Sequence, residues 1–183
     1  VETNEHKQRR DASLAVARLE KAVERLMAIL RSSSDAEERI RVLNVIRLIG
    51  APAAAVVFRD VKPDGVWFYQ RNLARLLGQI GQEVHAHALE ALLAHEDDRV
   101  RKEVIESIYK IGGSERGDIL LTALPAQEEA MQIQIVTMLG NLRFRPAVAP
   151  LVAMLKAKPL TVGTREDLEK AICSALGTIG DEE

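Results

Sequence analysis

The sequence predicts an all-α solenoid of about five helical-hairpin repeats, and three observations carry that reading. A short phrase recurs: Ile46-Arg-Leu-Ile-Gly50, Leu77-Gly-Gln-Ile-Gly81, Ile108-Tyr-Lys-Ile-Gly112, Leu139-Gly-Asn-Leu-Arg143 and Leu176-Gly-Thr-Ile-Gly180 begin 31, 31, 31 and 37 residues apart. A period of roughly 20 to 50 residues marks stacked repeats rather than a single globule. Within each repeat the apolar residues fall three and four apart, the spacing of one helix face. Apolar residues make up 47% of the chain and aromatics only 3%, so Leu, Ile, Val and Ala must build a helical interior.

The first element is a long amphipathic helix. Ala12, Val16, Leu19, Val23, Leu26 and Leu30 follow a 4-3-4-3-4 spacing. That is a heptad seam, but fewer than three heptads stand where the first repeat needs a helix, so an elongated N-terminal cap is the expectation. Residues 1–11 read as a polar tail, and 12–183 as a single repeat domain whose units end near 50, 81, 112, 143 and 180.

Each repeat then carries an inner helix, B, ending at the phrase. Counting back from the last phrase residue gives four core columns. They hold Val42, Leu73, Val104, Ile135 and Ile172; Leu43, Ala74, Ile105, Val136 and Cys173; Ile46, Leu77, Ile108, Leu139 and Leu176; and Ile49, Ile80, Ile111, Leu142 and Ile179. Gly50, Gly81, Gly112 and Gly180 suit left-handed helix caps, which glycine adopts at little cost. Outer helices, A, are expected over Pro52–Val61, Glu83–Ala94, Glu115–Leu124 and Pro146–Lys156, with Pro52 and Pro146 in first turns, where proline's missing N–H is harmless. Asp35, Asp97 and Thr164 stand where B helices begin and are N-cap candidates. The longer last interval falls at Pro159–Thr164, a loop where solenoids take insertions. The chain stops at Gly180-Asp-Glu-Glu183 without a further outer helix, which predicts a piece of a longer protein or an end-to-end contact at that uncapped repeat.

The stretch Asp97-Asp-Arg-Val-Arg-Lys-Glu-Val-Ile-Glu-Ser-Ile-Tyr-Lys-Ile-Gly-Gly113 closely resembles a HEAT-like repeat of the short class named after phycobilisome lyases. Asp97 and Arg101 match that family's acidic and basic capping pair, and Asp35 and Arg39 occupy the same columns. Val66/Gln70, Glu128/Gln132 and Arg165/Glu169 depart from it, so the capping ladder is expected to break there. The resemblance, over roughly residues 12–180, implies a right-handed α-α superhelix with the B helices lining its concave face. It also suggests a bacterial-type cytoplasmic protein. It says little of function, because one fold hosts many.

Composition excludes several classes. Net charge is −2 with 28% charged residues, without the basic excess of a dedicated nucleic-acid binder. No apolar run approaches the ~18 residues of a membrane span. Cys173 is the single cysteine, which rules out an internal disulfide and suits a reducing compartment. It stands in a core column, so an inert buried thiol is expected. In one HEAT-like enzyme family, the deoxyhypusine hydroxylases, iron is held by repeated His-Glu pairs. This chain has one such pair, His95-Glu96, and a di-iron site needs several converging ligands. His85 and His87, two apart, point different ways on a helix. Neither catalytic, cofactor nor metal residues are assigned.

What remains is the surface of the B helices opposite the core. Its columns read Ile40, Arg71, Lys102, Ile133 and Lys170; Asn44, Arg75, Glu106, Thr137 and Ser174; and Leu48, Gln79, Lys110, Asn141 and Thr178. Arg71, Arg75, Lys102 and Lys110, with Asn72 and Tyr109, form a basic groove suited to an acidic peptide or protein segment. Glu103 and Glu106 partly neutralise it. Trp67 and Phe68 are candidate aromatic anchors beside the arginines, with packing against the 60–65 loop as the alternative, while Tyr69 shares a core column. The leading expectation is a non-enzymatic protein-binding scaffold. A nucleic-acid-binding module like the HEAT-like DNA glycosylases, and a bilin lyase or chaperone, are the alternatives.

Overall fold

A computed structural model describes residues 4–157 and 165–180. Among them are ten α-helices and no strand: α1 (Asn4–Ser32), α2 (Ala36–Ile49), α3 (Ala51–Arg59), α4 (Trp67–Ile80), α5 (Val84–Glu90), α6 (Asp98–Ile111), α7 (Arg116–Ala123), α8 (Glu129–Asn141), α9 (Val148–Lys156) and α10 (Glu166–Gly180). Short 3₁₀ turns extend α5 and α7 and precede α9. The protein is all-α and built of helical hairpins, with α2, α4, α6, α8 and α10 as the B helices. The expected insertion at 159–164, with the Thr164 cap, and residues 181–183 lie outside the described residues.

The helices gather into two compact units, residues 1–111 and 112–183, where the sequence suggests a single domain from 12 onward. In the first unit α1 plays the part of the missing outer helix. Val23, Met27 and Leu30 are buried against α2 and α3, whereas residues 4–18 are exposed on every side. Residues 4–11, expected as a tail, are the first turns of this helix. The N-terminal half of the heptad seam, Ala12 and Val16, therefore faces solvent.

In α4, α6 and α8 three of the four core columns are fully buried, while Ile111 and Leu142 of the fourth are half-exposed. Leu73, Ala74, Leu77, Val104, Ile105, Ile108, Ile135, Val136 and Leu139 are at most 1% exposed. Cys173 breaks the expectation: it is exposed. Ala74 and Val136 of the same column lie buried on helices that pack against a following B helix, α6 and α10, and among the described residues no helix follows α10. Leu43 is half-exposed in the same column of α2.

The phrase-final glycines divide by geometry. Gly50 (φ +74°, ψ −148°) lets α2 run into α3 through a single residue, in a region that side-chain-bearing residues avoid. Gly112 is also at positive φ. Gly81 is extended (φ −74°, ψ 170°) and Gly180 ends α10 without a positive φ, so the left-handed cap expected at these two is absent. Arg143, where the fourth phrase lacks glycine, adopts φ 49° instead.

Both aspartate caps form, with Asp35 accepting from the Glu37 N–H and Asp97 from the Arg99 N–H, each at 2.9 Å. The ladder expected to break is remade with a different residue. Arg39 donates to the Ser33 carbonyl at 2.8 Å, and Arg101 to those of His95 and Glu96 at 2.8 and 2.9 Å. In the same column Gln70 donates to the Asp60 carbonyl and accepts from the Lys62 N–H, and Gln132 donates to the Leu124 carbonyl. Arginine and glutamine alternate, each tying the loop before its helix. Gln132 also accepts from Arg165 at 2.8 Å, linking α8 to the start of α10 in the second unit.

How closely B helices approach is set by the second residue of the phrase. At Gly78 a Cβ would lie 2.6 Å from Ser107 Oγ and 3.0 Å from its Cα, so α4 and α6 meet backbone to backbone. Gly140 and Ala175 repeat this between α8 and α10, with the added Cβ 3.0 Å from the alanine Cα. In α2 the same position is Arg47, and α2 touches α4 far less extensively than α6 does. An arginine there prevents the approach that glycine permits, and a cleft is left between α2 and α4.

Candidate functional site

The cleft has two connected parts. One, of about 290 Å³, is lined by Ala36, Arg39, Ile40 and Leu43 of α2 and by Trp67, Phe68, Arg71, Asn72 and Arg75 of α4. The other, of about 180 Å³, continues along the same helices past Ile40, Leu43 and Arg75 to Asn44, Arg47 and Gln79. Four arginines surround an apolar floor, and no carboxylate lines either part. Each part by itself is smaller than the ~300–1,000 Å³ of a small-molecule site and suits a single side chain of a larger partner.

The aromatic floor is held from both ends. Trp67 opens α4 and packs edge-on to Phe68 (centroids 6.0 Å, 87°). The Arg99 guanidinium lies 3.5 Å over the indole and is itself gripped by Asp97 at 2.6 and 3.0 Å. Hydrogen bonds from that guanidinium hold the Asp97 carboxyl down to about 2. On the other side Arg39 lies 5.9 Å over the Phe68 ring. Tyr69 is buried, as its column requires, and anchors α4 from below. Its hydroxyl donates to Asp60 at 2.5 Å, and Arg31 of α1 donates to the same carboxylate at 2.6 Å. Burial first, and then the Asp60 hydrogen bond, push the phenol up to about 12. Tyr69 and Gln70, together with His95 at the Gly65 carbonyl, tie the 60–65 loop.

The arginines differ in what they already hold. Arg75 gives two hydrogen bonds, 3.1 and 2.7 Å, to one oxygen of Glu103, a residue 8% exposed. This bond raises the Arg75 pKa further. Arg39 is engaged with Ser33. Arg71 is different: its Nε is buried without a hydrogen-bond partner. A buried N–H left unpaired costs roughly 1–3 kcal/mol, which a partner's oxygen can restore. Asn72 is buried (8%) in the wall of the cleft.

Between α4 and α6 the expected basic stripe is largely neutralised. A second space of about 290 Å³ there is lined by Arg71, Arg75, Arg99 and Lys102 but also by Glu103 and Glu106. Lys110 pairs with Glu106 at 3.3 Å. Lys102 and Lys110 are exposed and Tyr109 half-exposed. The structure thus brings Arg71, Asn72, Arg75, Trp67 and Phe68 together, joins Arg71 and Arg75 to Lys102 across the glutamates, and places neither Tyr109 nor Lys110 in the cleft. Sequence reasoning missed Arg39, Ile40, Leu43 and Arg47. Ile40 and Leu48 are 57% and 78% exposed, large apolar side chains on the solvent side of α2.

His95 is buried; its Nδ1 accepts from the Asp97 N–H at 3.0 Å, so Nε2–H donates to the Gly65 carbonyl at 3.1 Å. Among the described residues no group of three His, Cys, Asp or Glu side chains is arranged to hold a metal. No described helix is long and apolar enough to cross a membrane.

A profile of the family described as HEAT repeats matches residues 23–108 and 63–128, more than half of the chain. The chain belongs to the HEAT-repeat family. HEAT repeats are generally protein-interaction scaffolds, and the cleft lies between the B helices of two successive HEAT hairpins, inside the matched region. Among curated proteins none matches the chain.

Proposed function

We propose that this HEAT-repeat protein is a non-enzymatic scaffold that holds an acidic segment of a partner protein on the B-helix face of residues 36–111. The observation that carries this reading is the α2–α4 cleft, in which Arg39, Arg71 and Arg75 flank Trp67 and Phe68, Arg47 lines its continuation, and no carboxylate is in the lining. Arginine beside aromatic rings is the chemistry of interface hot spots, and its planar fork suits carboxylates. Asn72 belongs to the wall of this cleft, whereas Lys102, Tyr109 and Lys110 stand on α6, outside its lining. A bacterial-type cytoplasmic chain is the setting proposed for it.

Nucleic acid is the competing ligand, and the glutamates on α6 count against it because a phosphate backbone needs an uninterrupted positive track. A peptide array graded in charge separates the two. Spots rich in Asp and Glu are expected to retain the protein at about 0.15 M salt, and duplex DNA is expected not to displace it. Retention without regard to peptide charge, or displacement by DNA, would sink the proposal.

A further inference from the structure

Resting on that reading, we infer that the α2–α4 cleft recognises a partner segment carrying an apolar side chain directly beside a carboxylate. The cleft offers two unlike surfaces within one cavity. Ala36, Ile40, Leu43, Trp67 and Phe68 present carbon, and Ile40 is 57% exposed with nothing packed over it. Arg71 presents a buried Nε–H with no acceptor. A polyacidic chain would satisfy Arg71 and leave the floor wet. An apolar chain would cover the floor and bury Arg71 still unpaired. Only a segment with both fits both.

The neighbouring arginines sharpen this. Arg39 and Arg75 are committed to Ser33 and Glu103, so they shape the cleft and set its positive field. Arg71 supplies the directional hydrogen bond, and Arg47 extends the positive wall toward Gln79. α2 and α4 are each 14 residues long, about 21 Å, the length of roughly six extended residues. The occupant is therefore a short acidic-apolar segment of another protein.

The test uses the full chain and a fluorescent peptide, Gly-Glu-Glu-Leu-Phe-Glu-Glu-Gly, followed by anisotropy at physiological salt. Two controls replace Leu and Phe by Ser, or all four Glu by Gln. The parent peptide is expected to bind at least about tenfold more tightly than either control. Arg71→Ala and Ile40→Glu should each weaken it about tenfold, and Arg71→Lys should not restore it, because lysine keeps the charge but lacks the Nε fork. Lys102→Glu and Lys110→Glu should change binding less than about threefold. Thermal melts of each variant confirm folding, which surface changes at Ile40 and Lys102 leave intact.

Failures are distinguishable. If the Ser control binds as well as the parent, or if Lys102→Glu and Lys110→Glu abolish binding while Ile40→Glu does not, the cleft inference is wrong and the acidic-segment scaffold survives. If none of the acidic peptides binds, or the Gln control binds equally, both fall.

Discussion

Arg75→Glu unfolds in denaturant with about 3 kcal/mol less stability than the parent, and Arg75→Ala with about 2 kcal/mol less. The reason lies on α6 rather than in the cleft. Glu103 is 8% exposed, and both of the hydrogen bonds to its Oε2 come from Arg75. Removing the guanidinium leaves a buried carboxylate without its counter-charge, and glutamate adds a second negative charge beside it. Breaking a fully buried pair costs ~3–5 kcal/mol; the Arg75 side chain is 45% exposed, so solvent screens part of this. The decisive companion is Glu103→Gln in the Arg75→Glu background, which should recover most of the loss. An Arg75→Glu protein as stable as the parent would refute the structural role. A binding defect in Arg75 variants is accordingly ambiguous, and Arg71 is the residue through which to test recognition.

Gly78→Val and Gly177→Ala, at the same position of their respective phrases, change stability in opposite directions. At Gly78 the new Cβ collides with Ser107, 2.6 Å from Oγ and 3.0 Å from Cα, and a backbone atom has no rotamer by which to escape. The α4–α6 seam must open, at a cost of about 3 kcal/mol. At Gly177 nothing lies within 4 Å of an added Cβ, and the residue is inside α10. Alanine there gains up to about 1 kcal/mol, the helix-propensity difference. Chemical denaturation of the two variants beside the parent measures both. Equal effects at the two positions would mean that this glycine serves helix termination alone and does not set helix approach.

That pair also explains what was legible in the sequence. The recurring phrase located all five B helices, and none of the fifteen residues assigned to their outer columns is buried. Columns report which side of a helix faces in, because that follows from 3.6 residues per turn. They do not report how far apart two helices stand. That information sits in the phrase itself, as Arg47, Gly78 and Gly140, where glycine allows contact of backbones. Read as capping punctuation, the glycines conceal the contrast between the α4–α6 and α2–α4 seams. Arg75 with Glu103, and Lys110 with Glu106, show the second reason: a stripe of cations is basic only if its carboxylates lie elsewhere. Cys173 shows a third: a column gives burial only where a helix packs on it, and no described helix covers that side of α10.

The alternation of Arg39, Gln70, Arg101 and Gln132 was visible as a departure from the family pattern, but its meaning was not. Both side chains carry an N–H long enough to reach the loop carbonyls, so either closes the hairpin. Residue chemistry, rather than residue identity, is what the 31-residue column preserves.

The central claim is that the α2–α4 cleft is a recognition site with Arg71 Nε–H as its unfilled donor. Its most direct measurement is the ¹⁵N–¹H resonance of that group, assigned by Arg71→Lys, during titration with the Glu-Glu-Leu-Phe-Glu-Glu peptide. The account predicts a downfield-shifted, exchange-protected Arg71 Nε–H on saturation, together with shifts at Ile40, Leu43 and Trp67. Saturable binding that leaves the Arg71 resonance unmoved and perturbs only α6 around Lys102 and Lys110 would contradict it.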